Sequence, residues 1–181
     1  MTSLIKVDAI QKLNGSVPKA SDLGLNVTGT VLQVVQTVKT DTFTTTSSSF
    51  VDITGMSVTI TPSSTSSKIL VTGMLNGSQD VGANRTYVKL LRGSTAICIG
   101  DSAGNRIRGL GGFSSNDATL ASSPLSFSFL DSPATTSATT YKLQIASTAG
   151  SGTCFVNRTD TDLDDGQIRM ASTITVMEIA G

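Results

Sequence analysis

The sequence predicts an all-β protein: a jelly-roll-like antiparallel sandwich of about eight strands behind an extended N-terminal arm. Three observations carry that expectation. Apolar side chains recur at every second position along most of the chain, the spacing that gives a strand one buried face and one wet face. Serine and threonine make up about 29% of the 181 residues, and charged residues only 14%, roughly half the usual share. Glu178 is the single glutamate, the other twelve acids being aspartates, which suit turns better than helices.

Residues 1–30 read as an arm. They carry short apolar clusters broken by Gly15, Pro18, Gly24 and Gly29, too little apolar content for a core of their own. Leu4, Ile5, Val7 and Ile10 are the candidate anchors by which such an arm docks on another surface. At most, "PKASDLG" (18–24) makes a turn of helix.

The sandwich is expected over 31–181. Its first strand is 31–38 (VLQVVQTV); next, Met56, Val58 and Ile60 alternate with Ser57, Thr59 and Thr61. Strands follow at 68–75, 85–92 and 95–99, and 101–123 reads as a long loop at one end. Leu125, Phe127 and Phe129 alternate with serines, and Tyr141, Leu143 and Ile145 with Lys142 and Gln144. A strand at 153–157 precedes a last one in which Ile168, Met170, Ile174 and Val176 share a face. Turn sequences such as "TPSSTSS", "RGS", "DSPATTSAT" and "TAGSG" separate these runs. Threonine is β-branched and polar, so the hydroxyls belong to the outer faces and turns. Eight or nine strands so spaced make a sandwich or barrel.

Composition excludes several function classes. With 38% hydrophobic residues and no net charge, the chain is not of disordered type. Zero net charge offers no basic footprint for nucleic acid and no polybasic membrane patch. The first twenty residues lack a secretory cleavage signal, and no 18-residue apolar run follows. The expectation is a chain made in a cytosol and kept there or released by lysis, which disfavours a disulfide between Cys98 and Cys154.

The motifs that resemble chemistry are weak. "GDSAG" (100–104) satisfies G-x-S-x-G, but the chain has no histidine and no helical pattern after Ser102, so it reads as a turn. "GLGG" (109–112) lacks the lysine of a phosphate cradle. In "DTDLDDG" (160–166), Asp160, Asp162 and Asp164 match the first spacing of a calcium loop. Asp165 stands where that loop needs glycine, and Ala171 where it needs a bidentate glutamate. The cluster reads as a solvated acidic turn, with a looser calcium site as its alternative. No other cofactor is indicated, and no catalytic constellation is present; the chain reads as a non-enzyme.

The segments 31–73, "IGDSAGNRIRGLGG" (99–112), "LDSPATTSATTYKLQIAS" (130–147), "CFVNRT" (154–159) and "ASTITVMEIAG" (171–181) resemble a family of tailed-phage virion proteins. The family includes cyanophage and other marine phage proteins, stand-alone or as C-terminal domains of tail fibres. Residues 7–29 are similar to the arm preceding that domain. The resemblance implies a homotrimeric sandwich on the virion exterior, assembled in the host cytoplasm. It would be tethered to capsid, neck or tail proteins through its arm and would meet a host surface glycan or protein. No Lys or Arg lies between Lys39 and Lys68 or between Arg108 and Lys142, which denies trypsin-like proteases a site. A short fibre or fibre head is the leading expectation. A capsid decoration protein is the alternative, and a carbohydrate-binding module the third.

Overall fold

The computed structural model describes residues 28–80, 85–113, 122–147 and 152–181. The candidate anchors Leu4, Ile5, Val7 and Ile10, and the turn of helix at 18–24, lie outside them. Among the described residues there are eleven strands: β1 (Val31–Lys39), β2 (Phe43–Thr45), β3 (Val51–Ile60), β4 (Lys68–Gln79), β5 (Thr86–Arg92), β6 (Thr95–Ile97), β7 (Gly111–Phe113), β8 (Ser123–Asp131), β9 (Thr139–Ser147), β10 (Cys154–Val156) and β11 (Ser172–Ile179).

Three of these continue the line of another. β11 pairs with β4 from Lys68 to Met74, and β10 pairs with the same edge of β4 from Gly77 to Gln79. β1 lies along β11 and β2 along β10. In the second sheet β6 and β7 share one edge of β5. Counting each broken strand once leaves eight. Sheet I then reads first, eighth, third, sixth, and sheet II second, seventh, fourth, fifth. That is the connection pattern of a jelly roll, in which two Greek keys close on each other. The expected fold class stands.

The alternating residues fill the space between the sheets. Met56, Val58, Ile60, Tyr141, Leu143, Ile145, Ile174 and Val176 are buried in one cluster with Ile69, Val71, Leu75, Val88 and Leu90. Gly73 and Gly77 also face inward on β4, where a Cβ would strike the rings of Phe127 and Phe113. The missing side chains make room for two of the six phenylalanines. Ile53 is in the core as well, three residues before Met56. The phase shifts at Gly55, whose φ of 82 permits the bulge between Asp52 and Ser57.

Four expectations need correction. The last strand begins at Ser172, and Ile168 and Met170 sit in the excursion 157–171, Ile168 being 57% exposed. The span 101–123 is not all loop, because β7 returns to pair with β5. β2 went unseen inside a hydroxyl-rich run, since three residues are too few to show a period. The strand placed at 95–99 ends at Ile97, because Cys98 adopts φ 52 and turns the chain out of the sheet.

Asn157 performs the same turn on the other side, with φ 62. Asparagine tolerates this left-handed region better than most residues. Its buried amide also holds the break together. Nδ2 donates to the carbonyls of Lys39 and Asp41 at 2.9 and 3.0 Å, and Oδ1 accepts from Ser172 Oγ at 2.6 Å. Its backbone N–H donates to Asn76 at 3.0 Å. One side chain therefore fixes where both strand lines split. Asn157→Gly keeps the backbone conformation but abandons the buried Lys39 carbonyl and the part-buried Asp41 carbonyl. It should cost about 2–4 kcal/mol, measured by chemical denaturation; a loss under about 0.5 kcal/mol would mean that the amide network does not hold the split.

Candidate functional site

Direction along the strands gives the sandwich two unlike ends. At one end the entering chain and the C-terminus lie together: Gly29 N–H donates to Ala180 and Ala180 N–H to Thr30. The connections 61–67, 93–94 and 132–138 belong to this end. Connections 46–50, 80–85, 114–122 and 148–153 join strands whose ends lie at the other, called distal here.

The proximal end is fastened by two inward-facing acids. Asp131, at the end of β8 in sheet I, accepts both oxygens' bonds from Arg92 Nη1 at 2.9 Å and another from the Tyr141 hydroxyl at 2.7 Å. Arg92 and Tyr141 belong to sheet II, so this group ties the layers together. Burial and the adjacent Asp131 push the Tyr141 phenol far above its ordinary value, so it stays protonated and donates. Glu178, wholly buried on β11, accepts from Ser63 N–H at 2.7 Å, Ser63 Oγ at 2.6 Å and Gln33 Nε2 at 2.6 Å. Burial alone would raise its pKa; these hydrogen bonds outweigh burial and hold the carboxyl below its usual value.

The two outer faces differ sharply. On sheet II, Lys142 donates to Asp52 at 2.7 Å, Gln144 donates to the same carboxylate at 2.7 Å, and Lys89 sits 3.9 Å over the Phe50 ring. Thr59 and Thr140 share a hydrogen bond of 2.8 Å across strands β3 and β9. This is a hydrated face. On sheet I the exposed residues include Val34, Val38, Met74 and Leu130, all large and apolar.

At the distal end a cavity of about 770 Å³ is lined by Arg85, Tyr87, Asn105, Arg106 and Ile107. Arg85 immediately precedes β5 and Tyr87 is its second residue, the rest coming from the excursion 98–110. Arg106 is braced by donating to the Ala103 carbonyl at 3.2 Å. Among the described residues the lining offers two guanidinium groups, an amide and an aromatic ring, groups that can donate hydrogen bonds to and stack on a polar ligand.

The residues singled out from sequence fare unevenly. Asp160, Asp162 and Asp164 do not gather: among the described residues no three acids, cysteines or histidines form a cation site. Asp162, with φ 54, instead meets Arg169 at 2.8 Å and Arg158 at 3.6 Å. Asp160 is pushed up by burial and by Asp80 against the pull of Arg158, and Asp164 is exposed. Ser102 lies in an exposed loop. Cys98 and Cys154 are free thiols. Sequence reasoning missed Asp131, Glu178, Asn157 and the distal arginines. A signal existed for the first two: each is a polar residue in the core phase, Asp131 after Leu125, Phe127 and Phe129, and Glu178 after Ile174 and Val176.

Comparison with known proteins finds no family model that matches the chain and no curated protein similar to it at a significant level. The fold defines a jelly-roll sandwich. Among the described residues no helix is long and apolar enough to cross a membrane.

Glu178 makes stability depend on pH with a defined sign. Its folded pKa is lower than its unfolded one, so its contribution is whole above the unfolded value and is lost as pH falls through the folded value. Glu178→Gln should lower stability at pH 7 by about 1–3 kcal/mol and flatten the acid limb of a denaturation-versus-pH series. An unchanged limb would show that this carboxylate does not drive the acid transition.

Proposed function

We propose that the protein is a non-enzymatic structural protein of a bacteriophage particle. In this reading it is a homotrimer on the virion exterior, acting as a short fibre or fibre head that attaches to the host surface. The observation that carries the reading is the axial layout. The chain enters the sandwich at the end where it also leaves it, and the strands joined by 46–50, 80–85, 114–122 and 148–153 end at the opposite one. An anchored shape with a free head needs that arrangement. The likeness of 31–73, 99–112 and 130–147 to tailed-phage virion proteins supports the same class.

The arm, through Leu4, Ile5, Val7 and Ile10, would tie the protein to capsid, neck or tail. The distal cavity with Arg85, Tyr87 and Arg106 would then face outward, where a host surface glycan could enter it. A capsid decoration protein is the second reading, favoured by a chain with no shaft repeat between arm and sandwich. A free carbohydrate-binding module, the third, would use the cavity without a particle.

Cryo-electron microscopy of virions decides between the first two. Density on the tail or neck is the expected result; copies over the capsid lattice would make the protein a decoration protein. Its absence from particles would overturn both. Deleting residues 1–27, which leaves the Gly29 and Thr30 contacts with Ala180 intact, should give a folded protein that no longer joins particles. Incorporation of the truncated protein would rule out the arm as anchor.

A further inference from the structure

We infer that the outer face of sheet I is the surface through which copies of this chain pack together, with a second copy of the chain as its occupant. This rests on the proposed self-assembly and goes beyond it by assigning the face. The strand register sets three rows across β1, β11, β4 and β8. The first is Val34, Met177, Leu70, Leu130; the second Gln36, Thr175, Thr72, Ser128; the third Val38, Thr173, Met74, Ser126. None of the twelve is charged, and half are large and apolar.

The polarity of β1 shows that the apolar residues are not accidental. Along Val31–Lys39 the usual order is largely reversed: Val34 and Val38 point outward at 56% and 51% exposure, while Gln33, Thr37 and Lys39 point inward beside one core-facing valine, Val35. Those inward groups are satisfied. Gln33 donates to Thr61 and Glu178, Thr37 to Ser57, and Lys39 pairs with Asp41 at 2.9 Å. A strand that turns polar groups in and valines out has placed its greasy side where something covers it.

Charge and area point to a copy of the same chain. A face meeting itself must bear its own charges across the contact; the twelve positions carry none, and Lys68 lies in the next row out, at the proximal rim, where it donates to Ser132. The polar groups present are hydroxyls and one amide, and Gln36 already donates to Thr175 at 2.8 Å, so drying the face strands little. Four strands about 4.8 Å apart and rows about 7 Å apart cover roughly 20 Å by 20 Å. Two such faces remove about 800 Å² by projection alone. Pleating and the flanking Leu32 and Ile179 raise that toward the roughly 1,200 Å² at which specific interfaces begin.

The test compares the full-length protein with Val34→Asp/Leu130→Asp by light scattering coupled to size exclusion, with Thr59→Asp on sheet II as control. The wild type and the control should run as oligomers. The double variant should fall to the monomer mass, a two- to threefold drop, with an unchanged β circular dichroism spectrum. A double variant that keeps the oligomer mass overturns the assignment of the face while leaving self-assembly intact; a monomeric wild type overturns both. Should the double variant fail to fold, Ser128→Cys gives a second readout. Its thiol should react with maleimide at least tenfold more slowly in the oligomer than after dilution to monomer. Equal rates, or protection in a protein of monomer mass, would overturn the proposal.

Discussion

A strand has only two faces, and in this molecule the inward one is spoken for. Every second side chain of eight strand lines must fill the gap between two sheets, and Ile69, Val71, Tyr141, Leu143, Ile145, Ile174 and Val176 do so with no exposure. Everything else about the protein follows from what the remaining positions are allowed to be. On sheet II they are hydroxyls and paired charges, so that side stays wet. On sheet I they are mostly valine, leucine, methionine and hydroxyls, with Lys68 at the rim, so the middle of that side is ready to lose its water. The same pleat thus gives one core and two surfaces of opposite character.

Polar residues that break the inward pattern mark where the sandwich is fastened. Asp131 binds the sheets through Arg92 and Tyr141, Glu178 holds the connection after β3, and Asn157 holds the split between β10 and β11. Each is buried with its hydrogen-bonding capacity used, which is the condition under which a buried polar group stabilises rather than costs. These ties secure the edges and the end of the sandwich where the chain enters and leaves.

Much of the fold was legible because threonine and the aliphatics obey the same period of two. The runs around Met56, Phe127, Tyr141 and Ile174 could be read directly as inward faces. What escaped was short or interrupted. β2 and β7 are three residues each, and their pairing is decided by β10 and β5, far away in sequence. Ile168 and Met170 kept the core phase by coincidence inside an excursion that Asn157 begins. The aspartates at 160, 162 and 164 looked like ligands by spacing alone, and their directions are set by Arg158 and Arg169 instead. The proposed interaction face was half visible: valines in "VLQVVQTV" were plain, but which side they took depended on where Gln33 and Lys39 found partners.

An assembly through the proposed face would have a fixed orientation, with sheet I turned toward neighbouring copies and sheet II toward solvent. A cryo-electron microscopy map of the purified oligomer, at a resolution that separates strands, tests this most directly. The account predicts β1, β11, β4 and β8 at the contacts between copies and β3, β9 and β5 on the outside. A map with the Asp52–Lys142 face buried between subunits and Val34, Leu70 and Leu130 in open water would contradict it.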